Sequence, residues 1–167
     1  MVLGDDKDMD TVGNWVGAGG GSVSGGYDSG DVGYDNTLRI QAGSASNDRA
    51  ELAQSDLNET TIEDRSYLVT FNYKYINNTD MTGNSLVTLG GTVSSTIVYT
   101  STSWTSYSQV IVASDNSTNI RVYCNGDSGH ADNELLIDNF SIKEVGVASG
   151  WTTADAEPLI PQTALMG

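Results

Sequence analysis

Apolar and polar residues alternate through most of this chain, and the alternation has the period of a strand. Leu38 and Ile40 alternate with Arg39 and Gln41. Tyr67, Val69, Phe71, Tyr73 and Tyr75 fall on one side of a long strand, with Leu68, Thr70, Asn72, Lys74 and Ile76 on the other. Within 119–124, Ile120, Val122 and Cys124 alternate with Arg121 and Tyr123. Further strands are predicted over 50–55, 86–89, 96–99, 104–112 and 135–145. Turn residues separate them at Asn77-Asn78-Thr79-Asp80, Gly90-Gly91 and Asp115-Asn116-Ser117, and 125–133 reads as a polar loop. The Gly- and Ser-rich stretch 17–30 reads as a loop, or as a loose edge strand around 22–24.

About nine strands at this spacing predict an all-β fold, a sandwich of two antiparallel sheets with jelly-roll or related topology. Alternation alone does not separate a jelly roll from other sandwiches. After residue 146 it stops, and Pro158 and Pro161 interrupt Leu159-Ile160. The chain therefore divides into a sandwich over 1–146 and a linker or extension over 147–167, which Trp151 would pack against the sandwich. No internal repeat is present.

Composition supports this reading. The chain of 167 residues is 38% apolar and carries 19 glycines, enough for one core and many turns. Its 22 acidic residues against 7 basic ones give a net charge of −15. Such a field repels phosphate backbones and anionic lipid, which argues against nucleic acid and membrane as partners. An acidic surface can hold divalent cations or simply be solvated, and charge does not choose between the two. Cys124 stands alone, so no intrachain disulfide forms, and its place in the alternation makes it a core residue. No apolar run approaches the ~20 residues that span a bilayer. The first residues lack a signal-peptide pattern, so export would be encoded elsewhere or proceed through lysis or virion assembly.

Several short segments in order carry a family resemblance: Asp8-Met9-Asp10, Trp15, Tyr67-Leu68-Val69-Thr70-Phe71, Trp104-Thr105-Ser106-Tyr107 and Ile137-Asp138-Asn139-Phe140-Ser141. Together, over about residues 5–145, they resemble the carbohydrate-binding modules of families 4, 9 and 22. Those begin with an Asn-Gly-Asp-Phe-Glu-like motif and a Trp, carry a Tyr-x-Val-Ser-Phe-like central strand and a Trp-x-x-Tyr strand, and end on an Ile-Asp-Asn/Asp-Val-Ser-like strand. Lys7 stands where the family often has Gly, and Asp10 replaces a Glu. The tail from Gly150 to Asp155, with 160–165, looks like linkers of phage tail-associated proteins. The resemblance implies an extracellular or virion-surface module that attaches neighbouring domains of a larger parent to polysaccharide.

The resemblance also implies a structural calcium ion between the N-terminal motif and the last strand. By that match Asp10 and Asp138 are its side-chain ligands, with Asp8 and carbonyls near Asp35-Asn36 as further candidates. The spacing Asp6-x-Asp8-x-Asp10 is not an EF-hand, because Thr11 and Gly17 stand where that loop needs Gly and Glu.

A saccharide presents apolar C–H faces ringed by hydroxyls, so its site wants aromatic platforms beside planar polar groups. Arg121 and Tyr123 share one strand face, as do Arg39 and Gln41, and Asn72 and Lys74. Tyr27 and Tyr34 are candidate loop platforms. Whether these strands share one sheet is open. Trp15, Tyr67 and Trp104 are read as core by their match to the family.

Catalysis finds little support. Gly126-Asp127-Ser128-Gly129 has a nucleophile-like look, but the single histidine, His130, sits two residues from Ser128 on the same turn, unable to serve it as a base. Gly17-x-Gly19-x-x-Ser22 fails the dinucleotide fingerprint, and one His with one Cys makes zinc improbable. Three readings of function stay open. They are a non-catalytic module for a neutral β-glucan or xylan-type chain (uronic-acid polymers being the lesser case), a structural or adhesive domain of a phage tail or surface fibre, and, below both, a glycan-active hydrolase or lyase.

Overall fold

The computed structural model describes residues 9–43, 47–77, 87–93, 101–124 and 133–146. Ten strands lie among them: β1 (Val16–Ala18), β2 (Ser22–Tyr27), β3 (Thr37–Gln41), β4 (Arg49–Leu52), β5 (Ser66–Asn77), β6 (Val87–Leu89), β7 (Thr92–Val93), β8 (Thr105–Val112), β9 (Ile120–Tyr123) and β10 (Glu134–Val145). Between β4 and β5 a single 3-10 turn spans Gln54–Asp56. One sheet has the order β1-β4-β9-β6-β7 and the other β2-β3-β10-β5-β8, with every pairing antiparallel. This is the sandwich of two antiparallel sheets that the alternation predicts, and its strand order is consistent with a jelly roll.

The inward side chains of the two sheets make one core. From β5 come Tyr67, Val69, Phe71, Tyr73 and Tyr75, and from β9 Ile120 and Val122, with Cys124 just beyond. Phe71 stacks on Tyr107 with ring centres 4.5 Å apart, and Trp15 meets the Phe140 ring edge-on at 5.0 Å. Trp15 and Tyr67 are buried as expected, and the Tyr67 hydroxyl accepts a hydrogen bond from the Ile62 N–H at 2.8 Å.

In two places the structure departs from the simple alternation. The first is β10, where Ile137 and Asp138 pair with Tyr73 and Asn72, while Ser141 pairs with Thr70. One residue too many lies between, so the strand bulges. Asn139 takes it up with φ of 55° and is exposed, which lets Phe140 return to the core. The second is the Gly- and Ser-rich stretch, which forms both β1 and β2 rather than a loop with a short edge. Glycine there answers to close backbone approach: a Cβ on Gly25 would overlap the carbonyl group of Thr11, and the Gly26 N–H donates to the Met9 carbonyl at 2.8 Å. The strand expected at 96–99 and the extension 147–167 lie outside the described residues.

Candidate carbohydrate interface

Because side chains alternate, the polar half of β5 and its neighbours forms the outer face of the second sheet. Cross-strand pairing sets these residues in rows. Gln41 lies beside Glu134, Arg39 beside Leu136 and then Lys74, and Asp138 beside Asn72 and then Ser106. Ser141, Thr70 and Ser108 form the next row, and beyond it Lys143, Leu68 and Val110 begin an apolar end with Val112. The face thus grades from charged to hydroxyl-rich to apolar along the strands.

Its charged groups are tied to one another. Glu134 accepts hydrogen bonds from Nε of Arg39 at 3.0 Å and from Nε2 of Gln41 at 3.1 Å, and closes a second, shorter contact with the Arg39 guanidinium. The same guanidinium lies over the Tyr27 ring, 4.9 Å from its centre. Leu136, between Arg39 and Lys74, is fully buried yet stands apart from the main core, consistent with the aliphatic stems of its long neighbours covering it.

The loop after β2 adds an aromatic wall. Tyr34 stacks on Trp104 with ring centres 3.8 Å apart and planes 7° from parallel. Oδ2 of Asp31 accepts both from the Lys74 ammonium at 2.6 Å and from the Trp104 indole N–H at 2.9 Å. Lys74 is the leading influence on Asp31; with Trp104 it outweighs the opposing effect of burial and holds the carboxyl below its ordinary range. The turn presenting Asp31 and Tyr34 closes on itself, with the Ser29 hydroxyl donating to the Tyr34 carbonyl at 2.9 Å and the Tyr34 N–H to the Asp31 carbonyl at 3.1 Å. Gly30 and Gly33, at φ of 74° and 86°, supply the left-handed bends. Beside this wall a shallow depression of about 260 Å³ is lined by Thr70, Asn72, Ser106, Ser108 and Asn139, with Phe71 and Tyr107 beneath. The Ser106 hydroxyl donates to Oδ1 of Asn72 at 2.9 Å.

Six of the expected site residues therefore converge here: Tyr27, Tyr34, Arg39, Gln41, Asn72 and Lys74. Arg121 and Tyr123 do not join them, because β9 belongs to the other sheet. There Glu51 gathers Nε of Arg49 at 2.6 Å, Nε of Arg121 at 2.9 Å and the Asn119 amide at 3.0 Å, and Arg49 lies over the Tyr123 ring at 5.4 Å. The Arg121 contact is an ion pair without an aligned hydrogen bond. Tyr123 thus already carries a cation on its ring.

Trp104 is not a core residue as its family match suggests; it is half-buried on the outer face with Tyr34. Parity along β8 carries the signal. Tyr107 and Ile111 point inward, so Ser106, Ser108 and the residue two before Ser106 point out. Asp31 and Glu134 were not expected at the site, because their roles depend on a loop folding back and on cross-strand register.

Of the expected calcium ligands, Asp138 is buried in β10 with its two carboxylate oxygens accepting from the Asn139 backbone and side-chain amides at 2.7 and 2.9 Å. Asp10 is exposed, and Asp8 lies outside the described residues. No group of three or more His, Cys, Asp or Glu fit to hold a metal occurs among the described residues.

No family profile and no curated protein matches the chain. Solved structures do. The CBM22-1 xylan-binding domain of Paenibacillus barcinonensis Xyn10C superposes with a TM-score of 0.56 at 14% identity, covering 83% of this chain and 90% of that one. The C-terminal family 22 carbohydrate-binding module of Clostridium thermocellum Xyn10B gives 0.58 at 20% identity, covering 81% and 88%. An arabinose-bound α-L-arabinofuranosidase gives 0.61 at 19% identity over 80% of this chain, which spans only 23% of that enzyme. At these identities the likeness is one of fold, and the fold is that of the family 22 modules.

Proposed function

We propose that the protein is a non-catalytic carbohydrate-binding module whose outer β2-β3-β10-β5-β8 face takes a neutral polysaccharide of β-glucan or xylan type. The observation that carries this is the Tyr34–Trp104 wall standing beside two rows that carry the Asn72 amide and the hydroxyls of Ser106, Thr70 and Ser108. Rings stack on the C–H face of a sugar while planar amides and hydroxyls bond its rim, in a site that is largely preformed. That the CBM22-1 domain sharing this fold over 90% of its length is a xylan-binding domain supports the same choice.

The state of the carboxylates on this face supports binding rather than cleavage. A glycosidase acid needs a raised pKa to keep its proton. Asp31 is instead held low by Lys74 and Trp104, and Glu134 is committed to Arg39 and Gln41. The module would act on an extracellular or virion surface, delivering the neighbouring domains of a larger parent to its polysaccharide. A structural calcium held by Asp10 and Asp138, with Asp8, is proposed on the family resemblance alone.

Affinity gel electrophoresis against xylan, mixed-linkage β-glucan and a charged control tests the proposal. Retardation by at least one neutral chain, without release of reducing sugar, is expected. Unretarded migration in every gel would defeat it.

A further inference from the structure

We propose that Asp31 is the specificity-determining residue of this face: by orienting the Trp104 indole and cancelling the Lys74 ammonium with one oxygen, it admits uncharged chains and turns away uronate-bearing ones. This rests on the reading that the outer face binds a glycan.

The charged rows explain why. From the Gln41 row to the Asn72 row the cations are Arg39 and Lys74, and each faces a carboxylate, Glu134 from β10 and Asp31 from the loop. Each cation is already held: Arg39 by Glu134, with the two side chains 24% and 18% exposed, and Lys74 by Asp31, at 19% and 39%. A uronate carboxylate is bound well only where a donor cation faces it without a competing anion. Here it would meet pairs that are already satisfied. A neutral hydroxyl has no such conflict, since it can donate to the carboxylates and accept from the amides.

Asp31 couples this charge balance to the platform. The indole edge of Trp104 is fixed by the Asp31 side chain, while its face is covered by Tyr34 from the same self-closed turn. One turn thus sets both the position of the ring and the net charge of the wall. Without the carboxylate, Lys74 becomes a free donor beside a looser ring.

The test compares wild type with Asp31→Asn, Asp31→Ala and the double variant Asp31→Asn/Lys74→Gln. Binding is measured to xylan or β-glucan and to polygalacturonate at low and at physiological salt. The fluorescence of Trp104, taken as the difference from a Trp104→Phe variant, is recorded without glycan. Asp31→Asn should gain salt-sensitive binding to polygalacturonate, and the double variant should lose that gain. Asp31→Ala should weaken neutral binding severalfold and shift the Trp104 emission. Wild type that binds neutral chains, with no uronate gain in Asp31→Asn, would overturn the assignment while leaving the proposed function standing. Wild type that binds no glycan removes that function and this proposal with it, even where the Trp104 emission still reports the Asp31 contact.

Discussion

Tyr34 lies flat on Trp104, their ring centres 3.8 Å apart. Two rings held this way lose little side-chain freedom when a ligand arrives, which is what a stacking platform requires. Trp104→Ala and Tyr34→Ala are each expected to weaken glycan binding by more than ~1 kcal/mol, roughly fivefold or greater in Kd. Because the rings touch, the double variant should cost less than the sum of the two. Isothermal titration with the best polysaccharide checks this. Unchanged affinity in a folded Trp104→Ala protein would move the site elsewhere.

Tyr123 supplies the matching control. It lies on the opposite sheet under the Arg49 guanidinium. Tyr123→Ala should leave glycan affinity unaltered and lower stability by about 0.5–1 kcal/mol, the worth of an exposed cation–π contact. Titration and urea unfolding of the same preparation separate the two effects.

The sandwich was legible in the sequence because side-chain parity is a local property. Tyr67 through Tyr75 declare their face without reference to any partner, and their burial follows. The site was only half legible. Parity turns Arg39, Asn72 and Lys74 outward, but it says nothing about which strands become neighbours. Arg121 carries the same pattern as Arg39 and ends on the other sheet. Asp31 has no strand periodicity at all, and only the fold of its glycine-flanked turn brings it to Lys74 and Trp104. The bulge at Asn139 was hidden for a related reason, since strict alternation through Ile137-Asp138-Asn139-Phe140 would send Phe140 outward.

Cys124 is fully buried, with its thiol against the Asp48 carbonyl at 3.4 Å. Burial, reinforced by the Asp48 charge, pushes its pKa up to about 12. The thiolate is the reactive form, so the native protein should be inert to thiol reagents at neutral pH. Labelling by Ellman's reagent is expected to follow the global unfolding curve in denaturant. Rapid labelling without denaturant would contradict the packing around β9.

Calcium can be tested without a glycan. An ion that binds the folded chain and not the unfolded one stabilises it by RT ln(1 + [ion]/Kd), about 2.7 kcal/mol at a hundredfold excess over Kd. If Asp10 and Asp138 share an ion, chelator should lower Tm in wild type and leave Asp10→Asn little changed. Identical melting curves with chelator and with added calcium would remove the ion from the account.

Glu51 gives the clearest pH dependence. Its side chain is 11% exposed and holds Arg49, Arg121 and Asn119 on the outer face of the first sheet. Burial alone would raise its pKa, but the Asn119 and Arg49 hydrogen bonds and the charges of the two arginines outweigh it, and the net shift is downward. A carboxylate whose folded pKa is depressed contributes stability that is complete above its unfolded pKa and disappears as pH falls through the folded value. Glu51→Gln, which leaves two partly buried guanidinium groups uncompensated, is expected to cost about 1–3 kcal/mol at neutral pH. The gap in unfolding free energy between wild type and Glu51→Gln should therefore be constant from neutral pH down to the ordinary carboxylate range and shrink below it. A gap that instead widened with acid would mean that Glu51 is protonated in the folded protein and that burial, not the arginines, governs its charge.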